Sequence, residues 1–127
     1  MQIRNINSEK APPPAAAYTQ AVEVTGASRM LFISGQLGTD MNGAAPSTME
    51  EQARLAWRNL GAQLQAAGMS FDNLVKITMF IPDASEIPAS RQARIETIGD
   101  RRPASTVVVC GLANPEWKIE IEAIACA

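Results

Sequence analysis

The sequence predicts an α+β domain, one mixed sheet with two helices on one of its faces, in the order ββαβαββ. Three observations carry that reading. Residues 49–64 repeat their apolar side chains at helical spacing, and residues 87–98 do so more weakly. Residues 117–125 alternate charged and apolar side chains, as a strand with one wet face does. A chain of 127 residues supplies one core and leaves no room for a second catalytic domain, so residues 1–127 are read as a single domain.

Residues 2–6 alternate weakly and are a candidate strand ahead of the ββαβαββ order; residues 10–17 follow as a surface connection that Pro12, Pro13 and Pro14 hold extended. Residues 21–24 and 30–34 are β-type runs separated by Thr25-Gly26-Ala27-Ser28, which predicts an antiparallel hairpin. Thr39 to Gly43 supplies turn residues, with Asn42-Gly43 suited to positive φ. Ser47 and Glu50 have the spacing of a capping box for a helix over 48–67, whose apolar stripe runs from Met49 to Leu64 and which Gly68 stops.

Residues 74–81 are rich in β-branched and apolar side chains and read as a strand covered on both faces, ending at Pro82-Asp83. The second helix over 87–98 has Pro88 in its first turn and Gly99 at its close. Residues 104–110 and 117–125 are the last two strands, with 111–115 as a connection of hairpin type. In the final strand Lys118, Glu120 and Glu122 face one way, and Ile119, Ile121 and Ala123 the other.

Composition excludes several classes of function. With 46% hydrophobic, 19% charged and 5% aromatic residues, the chain is an ordinary soluble one with an aliphatic core. A net charge of −2 with scattered basic residues lacks the footprint of a nucleic-acid binder. No apolar run approaches the about 18 residues of a membrane span and no signal-peptide core is present, so a cytoplasmic location and no membrane partner are expected. Cys110 and Cys126 form no CxxC pair and read as buried thiols. The absence of histidine removes the Ser-His-Asp and Cys-His nucleophile systems and the commonest transition-metal ligand. No metal or other cofactor is expected, and any catalysis must rest on carboxylates, hydroxyls, arginines, backbone groups and water.

From Tyr18 onward five runs stand in an informative order: Tyr18-Thr19-Gln20-Ala21-Val22, Leu31 to Gln36, Leu74 to Ile81, Arg102-Pro103-Ala104 and Lys118 to Ala125. In order and spacing they resemble the YjgF/RidA (Rid) family. The resemblance implies a chorismate-mutase-like fold and a homotrimer whose sheets form a central barrel, with a small-molecule cleft between each pair of neighbours. Family members with the full motif hydrolyse reactive enamines and imines such as 2-aminoacrylate, releasing ammonia and a 2-oxo acid without a cofactor.

Those members carry an arginine two residues after the proline of the Pro-Ala-Arg run, where it holds the substrate carboxylate bidentately. Here that position is Ser105, and the often-cysteine position two further on is Val107. The pocket positions that match are Tyr18, Ser34 with Gly35, and Glu120. By that correspondence Glu120 activates a water or passes a proton, Tyr18 and a backbone N–H orient the substrate, and Ser105 and Val107 line the pocket. Counted from the Phe80-Ile81 end of the strand, Arg91 falls where many members have an asparagine facing the cleft, so Arg91 is the expected substitute cation. Arg94 is expected on a different helix face, among the ordinarily solvated arginines.

Taken without the resemblance, Glu120 belongs to a solvated strand face, Tyr18 is a packing aromatic, and Gly35 ends a strand by its backbone freedom. Two functions follow: an enzyme that hydrolyses or isomerises a small imine-like or enol-like metabolite through Glu120 and water, or a trimer that binds a small ligand, such as a carboxylate, or a protein partner without that chemistry.

Overall fold

In the computed structural model, which describes residues 1–127, the chain forms β1 (Gln2–Ile6), β2 (Ala21–Thr25), β3 (Met30–Leu37), α1 (Met49–Ala66), β4 (Leu74–Phe80), α2 (Ile87–Ile98), β5 (Ala104–Val108) and β6 (Glu120–Cys126). The main sheet has four strands in the order β3-β6-β4-β5, antiparallel except for the β4–β5 pair. Helix α1 packs on β3, β6 and α2. Trp57, Leu60 and Leu64 of α1 are fully buried with Ile77, Ile121 and Ala125 of the sheet.

Both expected hairpins are replaced by other pairings. β2 pairs with β1, Ile3 opposite Val24, in a separate two-stranded ribbon, while β3 pairs with β6. Gly26, at φ 72°, turns the chain out of β2. Beyond that turn, the Ser28 and Arg29 N–H groups donate to the Ala127 carbonyl at 2.8 and 2.9 Å, and the Ala127 N–H donates back to Arg29. The end of β6 thus occupies the place that a β2–β3 hairpin would need.

Nor do β5 and β6 pair. The α2 crossover makes β4 and β5 parallel neighbours, as a helical connection does. β6 carries the dense apolar face of Ile121, Ala123 and Ala125 and takes the sheet centre, bonded on both edges. β5, with Val107 45% exposed, stays at the margin, joined outward only by a single bridge from Ala104 to Thr19.

β4 is covered on one face only. Leu74, Ile77 and Met79 are buried beneath the helices, and Lys76, Thr78 and Phe80 are half-buried. On the face away from the helices Phe32 is 69% exposed. The helix N-cap is Thr48, whose hydroxyl accepts from the Glu51 N–H at 3.3 Å, one residue beyond the expected Ser47. Gly43, Gly68 and Gly99 have positive φ at the expected turn and helix stops. Cys126 is buried as expected, whereas Cys110 is only half-buried.

Buried Gln52 ties the ends of the fold together. Its Nε2 donates to the Pro46 and Glu116 carbonyls at 2.8 and 2.9 Å, and its Oε1 accepts from the Lys118 N–H at 2.8 Å. Each backbone group left unpartnered in such a place costs about 1–3 kcal/mol. Gln52→Ala is therefore expected to lower the unfolding free energy by about 3 kcal/mol or more in urea titration; an unchanged midpoint would contradict the role assigned to this side chain.

Candidate functional site

The short helical turn Ala84–Glu86 that leads into α2 is capped by Asp83, whose carboxylate accepts from the Ser85 hydroxyl at 2.7 Å and the Ser85 N–H at 2.9 Å. These two bonds, the hydroxyl first, hold the Asp83 carboxyl below the usual carboxylate range. Pro88 sits in the first turn, and buried Ser90 donates to the Ile87 carbonyl at 2.7 Å. The helical repeat then places Ile87, Ser90, Arg91, Arg94 and Ile95 along one stripe. That stripe faces Met79, Ser105 and Val107 of the sheet across a cleft of about 630 Å³, closed at one end by Ala15, Ala16, Ala17 and Tyr18.

Arg94 is the most tightly held polar group of this cleft. Its Nη2 donates to the Ala17 carbonyl at 2.7 Å and to the Ser105 hydroxyl oxygen at 3.1 Å. The Ser105 hydroxyl in turn donates to the Pro103 carbonyl at 3.1 Å. The guanidinium thus connects α2, the segment before Tyr18 and the start of β5. It has no carboxylate partner: the ion pairs of the chain are Arg4–Glu23, Arg54–Glu96, Arg101–Asp72 and Lys118–Glu86. Burial, and secondarily the charge of Arg102, push Arg94 below its ordinary pKa.

Arg91 also lines the cleft but is exposed and makes no hydrogen bond. The expectation that Arg94 lies on a different helix face and stays uninvolved is therefore overturned. Residues three apart share a helix face, and the side chain nearer the sheet is Arg94. The legible signal was the i, i+4 pair of Ser90 and Arg94, which continues the inward stripe. Tyr18 is half-buried, its hydroxyl oxygen 3.4 Å from the Ala15 N–H.

The remaining candidates lie elsewhere. In the β4–β5 ladder Ile77 is opposite Ser105 and Met79 opposite Val107, so Ser105 and Val107 share the helix-side face. In the β4–β6 ladder Met79 is opposite Ile121 and Phe80 opposite Glu120, so Glu120 points to the other face. There its carboxylate lies against Gly35: a methyl group on Gly35 would overlap the Glu120 carboxyl. Gly35 falls at a break in the β3–β6 register between Ile33 and Gln36. Ser34 is beside it in a smaller depression, about 390 Å³, with Phe32, Lys76, Thr78 and Glu122. Within one chain, then, the structure gathers Tyr18, Arg91, Ser105 and Val107 on one side of the sheet, and Ser34, Gly35 and Glu120 on the other. No three Cys, Asp or Glu side chains converge as a metal-holding group.

The fold and cleft define the class of protein: an α+β domain whose polar groups lie between its second helix and its edge strand, with a carboxylate behind the sheet. The family model described as Endoribonuclease L-PSP matches residues 8–127. The chain is 38% identical over 111 residues to "Protein mmf2, mitochondrial" of Schizosaccharomyces pombe, covering 85% of this chain and 86% of that protein. It is 34% identical over 122 residues to the 2-iminobutanoate/2-iminopropanoate deaminase of Rattus norvegicus, covering 94% and 87% respectively. Among solved structures, the Rid-family protein of unknown function YyfB from Yersinia pestis superposes with a TM-score of 0.85 at 29% identity, covering 100% of both chains. The chain belongs to the YjgF/RidA (Rid) family. No helix in it is long and apolar enough to cross a membrane.

Because the Asp83 pKa is lowered by folding, its contribution to stability is fully present above the unfolded carboxylate pKa and is lost as pH falls through the folded one. Asp83→Ala should therefore unfold at lower urea than wild type at neutral pH, and the gap should close on acidification below the ordinary carboxylate range. A gap that widens in acid would reverse the assignment.

Proposed function

We propose that the protein is a homotrimer in which the α2–β5 cleft of one subunit faces the Glu120 side of its neighbour. Each composite pocket then holds a small imine- or enamine-like metabolite that Glu120 hydrolyses with a water molecule. The observation that carries this reading is the division of the site: the cation-bearing half and the carboxylate-bearing half lie on opposite faces of one sheet, so only a second copy can bring them together. Exposed Phe32 and Met30 on one face and Val107 and Val109 at the margin of the sheet are apolar surface that such an assembly would cover. The name of the rat relative supports the reaction class.

In that reaction the Glu120 carboxylate takes a proton from water as the water oxygen bonds to the imine carbon. The electron pair of the C=N bond moves to nitrogen, which takes the proton back from the Glu120 carboxyl; Glu120 then accepts the hydroxyl proton of the carbinolamine and delivers it to the amine as the C–N bond breaks, so that ammonia leaves and a 2-oxo acid remains. Tyr18 and the backbone at Ser34 and Gly35 orient the substrate, and Ser105 and Val107 shape the cleft wall. Glu120 forms no ion pair in the chain and so has no fixed internal counter-charge to displace.

Ser105 stands where the deaminases of the family carry their anchoring arginine, so ordinary deamination of 2-aminoacrylate is expected to be slow. Losing a bidentate, charge-assisted contact at that site removes on the order of 2–5 kcal/mol. The same substitution favours a second reading, a trimer that binds a small ligand or a partner without turnover.

Light scattering should return about three times the 13.6 kDa chain mass, and a stable monomer would defeat the composite pocket. In a coupled assay with freshly generated 2-aminoacrylate, the rate should fall at least about thirtyfold below that of an arginine-bearing relative. Replacing Glu120 by Gln should reduce any remaining rate about a hundredfold. Turnover unaffected by Glu120→Gln would remove the catalytic role and leave the binding reading.

A further inference from the structure

Within one chain the lining of the α2–β5 cleft includes two arginines, Arg91 and Arg94, and no Asp or Glu. A half-buried guanidinium without a counter-ion has lost part of its hydration without gaining an ion pair in return. Arg94 is such a group. It is also fixed in place, because both of its protein contacts use Nη2. A guanidinium has five N–H donors, so those of Nη1 and Nε remain free of protein partners.

We infer that Arg94, oriented by Ser105 and the Ala17 carbonyl, is the carboxylate anchor of this protein. The inference rests on the pocket reading above and gives it an anchoring residue. Ser105 changes meaning with it: its hydroxyl is a positioning group that accepts from Arg94 and passes the hydrogen-bond chain on to Pro103. The cation therefore enters from the helix side of the cleft, and its stem starts on α2 rather than on β5.

The rest of the lining selects the remainder of the ligand. Met79, Ile87, Ile95 and Val107 are apolar and suit a short alkyl chain, whereas a second carboxylate on the ligand would find no second buried cation. Arg91 is exposed, so its charge acts through water and contributes attraction more than orientation. Tyr18 can donate its hydroxyl proton to the ligand, since the Ala15 contact uses the oxygen only as an acceptor.

The test is binding rather than turnover, measured by calorimetry with 2-oxobutanoate and its neutral analogue 2-oxobutanamide. Wild type should bind the acid about tenfold or more tighter than the amide. Arg94→Met, uncharged and of similar length, should abolish that preference, and Ser105→Ala should narrow it severalfold. Arg91→Met should change acid binding by less than about threefold at physiological salt. In case Arg94→Met disturbs the Ala17 segment, the side-chain Nε–H resonance of Arg94 in the intact protein provides a second readout. It should shift on titration with 2-oxobutanoate and stay still with the amide.

Equal acid and amide binding by wild type, a stationary Arg94 resonance at saturation, or a folded Arg94→Met that keeps the preference would each overturn the inference. A protein that binds acids through Arg94 but hydrolyses no imine would remove the catalytic reading alone. One that hydrolyses imines with Arg94→Met unimpaired would remove this one alone.

Discussion

The central placement of β6 is the constraint on which the rest of this structure depends. Its face of Ile121, Ala123 and Ala125 is nearly sealed from water, and both of its edges are bonded, to β3 on one side and β4 on the other. A strand alternates faces with a strict period of two, so burying those residues under α1 sends Glu120 and Glu122 to the opposite face. With β6 in the middle, β5 becomes marginal, and the helix crossing from β4 to β5 covers the cleft that Ser105 and Val107 line. The separation of Glu120 from that cleft is thus a consequence of core packing.

Electrostatics within the cleft depend on what it lacks as much as on what it holds. Three of the four ion pairs of the chain lie at the surface, as Arg54 with Glu96 does, where the contribution to stability is small. Arg94 instead sits among apolar side chains, with only a backbone carbonyl and a hydroxyl as partners. Dipoles of this kind orient a cation without neutralising it. The site therefore keeps its attraction for an anion, and the lower local dielectric strengthens that attraction compared with an exposed arginine.

Within the family this arrangement gives Ser105 a physical meaning. A serine cannot do the work of a guanidinium, since it offers one donor and no charge. It can receive a guanidinium from another element, and here it receives one across about 3.1 Å. The fold itself is shared with YyfB over the full chain. Function in such a fold follows the groups presented to the cleft more closely than the sheet that carries them.

Patterns confined to a single element were legible in the sequence. The spacing of Met49, Ala53, Ala56, Trp57, Leu60 and Leu64 determined α1 and its buried face, Pro88 and Gly99 bounded α2, and the alternation from Lys118 to Ala123 determined which way Glu120 points. The family motifs identified Tyr18, Ser105 and Glu120 as positions of interest. Tertiary structure alone decided which strands pair, because loops such as 25–28 and 111–115 are compatible with a hairpin or with a longer journey, and the choice falls to competition for the buried centre of the sheet. It likewise decided between Arg91 and Arg94. The two are three residues apart and carry the same charge, so no local pattern separates them; the difference is made by Ala17 and Ser105, which lie 77 and 11 residues away in the chain from Arg94 and reach only its guanidinium.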